Sequence, residues 1–400
     1  MSSSLLFLIL AALTAVGYLG GRWRAASAAQ GDARRLHSRT TYHGLAVGMG
    51  AFLAGAATYV LLSFATTFMP ALAGSPVVTV APLVLAIAVF VVVYLRITPE
   101  FRARNLVELM VLGLLISASL IAIFTTVAIV LSLVFETARF FSQYSWTEFF
   151  FGVVWSPAFQ GNSQLGMLPL LWGTLYVSFI ALLVAVPIGL FTAIYLTQYA
   201  TTRLRRIIKP VIEVLAGIPT IVYGLFALIT VGPVLRDYFA QPTGLGNSSA
   251  SVMTAGLVMG IMLIPFVSSL SDDIINAVPR AMRDGSLALG STQSETIRRV
   301  IIPAALPGIV GAILLAASRA VGETMIVVLG AGAAARMSLN PFEAMTTVTV
   351  KIVSQLTGDT DFSSPETLVA FALGITLFTM TLCMNVVALY IVRRYREQYE

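Results

Sequence analysis

Cysteine, histidine and lysine are nearly absent from this chain of 400 residues. The one cysteine, Cys383, has no partner for a disulfide and no companions for a thiolate metal site. Two histidines, His37 and His43, are too few for a histidine-ligated metal centre. Neither lies near a carboxylate cluster, which also weakens a membrane-embedded hydrolase. The two lysines, Lys209 and Lys351, stand outside any Gly-x-x-x-x-Gly-Lys-Ser/Thr loop, so the chain has no phosphate-cradling loop of its own. Charge is scarce too: 10% of residues are Asp, Glu, Lys or Arg, against roughly 25% in soluble domains.

Apolar residues take that place, at 58% of the chain. Nine segments are apolar for long enough to cross a hydrocarbon core of about 30 Å as helices. They run near 4–20, 44–67, 77–95, 107–134, 168–197, 210–232, 250–270, 306–330 and 367–392. The expected fold is therefore an all-α polytopic membrane protein. Loops 21–43, 96–106, 198–209 and 271–305, with the tail from 393, hold 19 of the 24 Lys and Arg residues. The intervening loops hold only Arg139, Arg236, Arg336 and Lys351, and Arg319 lies inside a span. Positive charge collects on the cytoplasmic side, so the N-terminus is expected outside and the C-terminus inside. The excess of +6 is thus membrane topology rather than a nucleic-acid footprint. A cleaved signal peptide fits the first segment poorly. Met1–Ser4 carries no positive charge, and cleavage would leave Arg34, Arg35 and Arg39 outside.

Organisation changes near residue 105. The three earlier spans carry no intramembrane charge, and the six later ones bear long loops at 135–167, 271–305 and 331–366. Residues 1–105 are read as an accessory unit and 106–400 as a six-helix core. Gly256 and Gly260 have the spacing that lets two membrane helices approach closely.

The cytoplasmic loop 271–305 carries the most information. Pro279 suits a helix start, and Gly290 suits a left-handed helix stop. Thr292 and Glu295 then have capping-box spacing. Ile297, Val300 and Ile301 line one face of the helix that follows, and Pro303 is expected to close it. Two short helices at the membrane surface result. Asp284-Gly285-Ser286, three residues, Gly290, nine residues, then 300–303 (VIIP) resemble the EAA loop of binding-protein-dependent ABC importer permeases. That family's pattern is Glu-Ala-Ala, three residues, Gly, nine residues, Ile-x-Leu-Pro. Asp, Gly and Ser replace Glu-Ala-Ala here, while Gly290 and Pro303 keep their places. The resemblance implies that the loop docks on a cytoplasmic ATPase, which would supply the ATP and Mg chemistry.

The stretches 213–224 (EVLAGIPTIVYG), 278–280 (VPR), 287–290 (LALG) and 318–324 (SRAVGET) are similar to PstC-type subunits of phosphate importers. That likeness covers roughly 106–400. It implies a type I ABC permease core, a homologous PstA-type permease, two copies of a PstB-type ATPase and a phosphate-binding protein. It places the chain in the bacterial inner membrane as a transport subunit without its own enzymatic activity, and makes Gly217, Pro219 and Gly224 a kink or gate.

Arg319 and Glu323 fall inside the 306–330 segment at i, i+4 spacing, hence on one helix face. A charge in the bilayer costs at least about 2.5–3.5 kcal/mol, so such residues usually line a polar path or pair. They are the expected anion-pathway residues. Glu213 is expected in a first helical turn, and Asp272 and Asp273 at a solvated loop entry. An ion-driven carrier would leave the docking-loop spacing unexplained. Another oxyanion or nutrient as cargo stays open, because specificity in this class lies largely in the external binding protein.

Overall fold

The computed structural model describes residues 3–30, 35–72, 74–158, 163–358 and 364–396. Among these, nine helices are long and apolar enough to cross a membrane. The chain divides into two compact units, Met1–Ala128 and Ile129–Glu400, with the division inside a helix.

The first unit holds α1 (Ser3–Ala28), α2 (Thr40–Phe68), α3 (Val77–Leu95) and the start of α4 (Ala103–Gln143). Helix α1 packs along α2 through small residues. A Cβ on Gly21 would sit 2.9 Å from the His43 carbonyl oxygen, and one on Gly48 would sit 2.7 Å from that of Thr14. Such closeness lets backbones attract by dispersion where lipid offers no hydrophobic drive. On α4, the ion pairs Arg104–Glu108 (2.6 Å) and Glu136–Arg139 (3.0 Å) bracket the apolar stretch.

The second unit continues with α5 (Trp146–Phe151) and the two-residue strands β1 (Trp155–Ser156) and β2 (Gln164–Leu165), paired antiparallel. Phe140, Phe149, Trp155, Leu165, Leu170 and Leu368 form a buried cluster there. Helix α6 (Leu168–Ile194) ends in a wide π turn at Tyr195–Tyr199, and the amphipathic α7 (Thr202–Ala216) follows. Next come α8 (Thr220–Phe226), α9 (Gly232–Leu235) and α10 (Val252–Ala277). Helices α8 and α9 belong to one span, Thr220–Ala240. Short helices α11 (Arg280–Ala288) and α12 (Gln293–Thr296) precede α13 (Ile302–Val321), α14 (Met325–Gly330), α15 (Val348–Gly358) and α16 (Pro365–Arg396).

The core of this unit is α6 against α10. A Cβ on Gly256 would lie 2.6 Å from Ile180, and one on Gly260 would lie 2.8 Å from Val184. The GxxxG expectation therefore holds. Val177, Met259, Leu263 and Ile326 fill the space around that seam.

Four expectations change. The segment expected as a span at 210–232 is broken: α7 stops at Ala216 and the apolar helix runs from Thr220 to Ala240. Pro219 pushes Ile218 out of helical backbone. Glu213 consequently sits in the last turn of α7, not a first turn. Pro303 does not close a helix. Gln293–Val321 is continuous, because a π turn at Ile297–Ile301 takes up the residue whose carbonyl the Pro303 ring would meet. The expected span at 306–330 instead ends at Val321 and resumes at Met325.

Candidate functional site

The docking loop is shorter than expected, because α10 continues to Ala277. Val278 and Pro279 are extended, both at ψ 129°, and turn the chain sharply into α11. The end of α11 is closed by paired backbone bonds. Ser291 N–H donates to the Ser286 carbonyl (3.3 Å) and Gly290 N–H to that of Leu287 (3.0 Å). Gly290 has φ +87°, the left-handed conformation this closure requires. Thr292 then caps the next helix: its hydroxyl accepts from Glu295 N–H at 3.3 Å, and Glu295 Oε2 accepts from Thr292 N–H at 3.0 Å. The reciprocal box read from the sequence is present. Ser286 Oγ and Thr296 Oγ1 lie 3.0 Å apart and fix the two short helices to each other.

What this turn presents is bare. Asp284 and Gly285 are exposed, and nothing beyond its own helix backbone and chain neighbours lies within 4 Å of where a Cβ on Gly285 would stand. Leu289 is 90% exposed beside Leu287. An apolar knob, a stretch of accessible backbone and a carboxylate thus share one rigid corner.

The second element is a pair of breaks that face each other. Gly217 ends α7 with ordinary helical φ and ψ, so Pro219 makes this break, not glycine freedom. Gly224 acts by closeness: a Cβ there would lie 2.9 Å from the Met325 carbonyl oxygen and 2.8 Å from Leu329 Cδ1. Helix α8 is thereby pressed onto α14.

Across that contact lies the break at Gly322–Thr324. Glu323 is past the end of α13, so it does not share a helix face with Arg319. Its Oε1 accepts from the backbone N–H groups of Met325 (3.1 Å) and Ile326 (3.4 Å) and caps α14. Its backbone oxygen accepts from Thr349 Oγ1 at 2.9 Å. Among the described residues Arg319 and Glu323 form no ion pair. The i, i+4 expectation fails because it requires an unbroken helix. Arg319 is exposed in the last turn of α13, with its guanidinium 5.4 Å from the Phe266 ring centroid. It lies about 26 Å of helix beyond Ile302. A permanently charged fork at a helix end, held against an aromatic face and free of a carboxylate, is chemically suited to an oxyanion.

Sequence reasoning missed two groups. Asp272, expected in solvent, is 2% exposed. Its carboxylate accepts from Arg205 Nη2 at 2.9 Å and from Lys209 Nζ at 2.8 Å. The hydrogen bond to Asp272 raises the Lys209 ammonium above its ordinary pKa. The available signal was Arg205 and Lys209 at i, i+4 spacing in a basic loop. Lys351 is half-buried on α15, and desolvation pushes its amine below the ordinary value. Its signal was rarity, since it is one of two lysines.

Comparison with known proteins accords with this architecture. Residues 185–397 match the family described as "binding-protein-dependent transport system inner membrane component", and residues 7–77 match one described as "phosphate ATP-binding cassette transporter". The chain is 30% identical to the probable ABC transporter permease protein YqgH of Bacillus subtilis, over 75% of this chain and 95% of that one. It is 35% identical to the phosphate transport system permease protein PstC of Mesorhizobium japonicum, over 60% and 76%. With PstC of Haemophilus influenzae the figures are 32% identity, 64% and 83%. A solved bacterial alginate ABC transporter in complex with its alginate-bound periplasmic protein overlays 70% of this chain and 94% of its own at 16% identity and TM-score 0.47. The chain belongs to the inner membrane components of binding-protein-dependent transport systems, among the PstC-type permeases.

Proposed function

We propose that this chain is the permease subunit of an ATP-driven importer that carries inorganic phosphate inward across the bacterial plasma membrane. The observation that carries the reading is the rigid, bare corner at Asp284–Gly290, standing at the spacing of an ATPase-docking loop. Phosphate as cargo is supported by the relatives named for it and by the match at residues 7–77. ATP and Mg belong to a PstB-type ATPase dimer that receives the corner formed by Asp284, Gly285, Ser286 and Gly290. A homologous PstA-type permease completes the pathway, and an external phosphate-binding protein supplies cargo. Residues 1–105 serve as an accessory membrane region. Copurification tests the docking reading: an ATPase should accompany the tagged chain from detergent-solubilised membranes, and its loss on altering Leu289 to Asp would support the corner as its seat. A chain that transports without any ATPase would contradict it.

Within this reading Arg319 is the pathway cation, and Glu323 holds the broken helix beside it. Pro219 and Gly224 shape the opposite wall, with Gly217 ending the helix before it.

Topology is a separate prediction. The distribution of 19 basic residues against 4 over the loops read from the sequence supports an N-terminus outside and a C-terminus in the cytoplasm. Ser2 and Tyr399, the natural labelling positions, lie outside the described residues. Cysteines at these two positions, in a background with the exposed Cys383 replaced by alanine, should label from opposite sides. Labelling of both from one side would overturn the nine-span arrangement.

A further inference from the structure

Helix α7 is 15 residues long, and none of its residues is buried. Leu204, Ile208 and Ile212 are no more than half-buried, and the helix leads directly into the break at Gly217–Pro219. Its firmest attachment is ionic. Arg205 and Lys209, one helical turn apart, reach across to the Asp272 carboxylate near the end of α10. The Asp272 side chain is 4% exposed, and those of Arg205 and Lys209 are 32% and 34% exposed. Asp273, the adjacent residue, is 70% exposed and 3.9 Å from Lys209, so it adds little. Asn276 Nδ2 donates to the Asp272 carbonyl oxygen at 2.7 Å and stiffens that last turn.

Position gives this cluster its meaning. Five residues after Asp272, α10 ends and the chain turns through Val278 and Pro279 into the docking corner. At the other end of α7, the Tyr223 hydroxyl donates to the Leu215 carbonyl at 2.9 Å, tying α7 to α8 across the break. Helix α8 is in turn pressed onto α14 at Gly224. A continuous series of packed or hydrogen-bonded elements therefore runs from the docking corner, through Asp272, to the break beside Arg319.

We propose that Asp272 is a positioning residue for transport. It clamps α7 to the stem of the docking corner, so that displacement of the corner moves the wall formed by α8 and α14. An ion pair suits this use better than an apolar seam. A carboxylate inside two donors holds direction as well as distance, and it cannot be released from both without leaving a buried charge unpaired. With two cations on one anion, loss of either cation alone weakens the clamp without releasing it.

The inference rests on the docking reading above, and the test separates the two. In the assembled complex with its ATPase and binding protein, Asp272→Asn is expected to leave subunit levels unchanged. Phosphate uptake should fall about tenfold or more, within the span of ordinary coupling free energies. ATP hydrolysis should lose its dependence on loaded binding protein. Arg205→Gln and Lys209→Gln should each give a smaller loss, and the pair together should match Asp272→Asn. Should Asp272→Asn fail to assemble, the two single variants decide, since each keeps the carboxylate paired. Normal uptake and normal stimulation in both would overturn the proposal. If Gly290→Val uncouples the complex while the clamp variants behave normally, the clamp alone is wrong. If Gly290→Val is itself fully coupled, the docking reading fails instead.

Discussion

Arg319→Gln is expected to bring phosphate uptake close to background while the complex still assembles. Phosphate reaches the permease with a charge between −1 and −2 and must leave water to cross. A hydrogen bond to a charged group contributes about 1.5–3 kcal/mol, so its loss slows passage by at least about tenfold. Arg319 is exposed within the chain and no carboxylate among the described residues pairs with it, which is why removal need not disturb folding. Arg319→Lys should recover little, because the charge returns without the planar fork. Glu323 behaves differently. Its Oε1 caps α14, and Glu323→Gln retains an oxygen able to accept from Met325 and Ile326. That variant should transport better than Arg319→Gln, whereas Glu323→Ala frees the start of α14 and should be worse than Glu323→Gln. Uptake of radiolabelled phosphate into cells lacking other phosphate importers reads all four. Normal uptake by Arg319→Gln would make this arginine a structural partner of Phe266 and nothing more.

Gly290→Val is expected to uncouple ATP hydrolysis from transport while every span still inserts. At φ +87° a β-branched side chain meets the backbone, at a cost of about 1–2 kcal/mol for the left-handed conformation. No neighbouring atom lies within 4 Å of the added Cβ, so the penalty is conformational rather than a clash. Relief requires abandoning the bonds from Ser291 and Gly290 that close α11. The angle between the short helices then changes, and with it the seat offered to the ATPase. Binding-protein-stimulated ATP hydrolysis should be lost at normal membrane levels of this chain. Full stimulation would show that the corner does not transmit force.

These expectations also mark how much the sequence disclosed. The nine apolar helices among the described residues were legible because hydrocarbon demands about 20 apolar residues of any helix that crosses it. Gly290 and the Thr292–Glu295 box were legible because each is a local device, fixed by residues within one turn. The breaks were harder. Apolar residues resume within a few positions on both sides of Ile218–Pro219 and of Gly322–Thr324, so a window long enough to recognise a span runs through both breaks. Only the restraint of Pro219 on Ile218 offered a hint, and Gly322 offered less. The pairing of Arg319 with Glu323 failed for that reason alone. Asp272 was misplaced because a carboxylate near an expected loop looks solvated until its cations arrive from 63 and 67 residues earlier in the chain. Pro303 misled in the opposite direction, since a wide turn can carry a helix past proline.

The central claim is ATP-driven import of phosphate through this chain. Its most direct test is uptake by proteoliposomes that hold this chain with its homologous permease and ATPase, supplied with phosphate-loaded binding protein on the external face. Accumulation of labelled phosphate should require ATP on the ATPase side, should vanish without the binding protein, and should resist competition by excess sulfate. Accumulation driven by a proton or sodium gradient without ATP, or ATP hydrolysis stimulated by a different oxyanion and not by phosphate, would contradict the account.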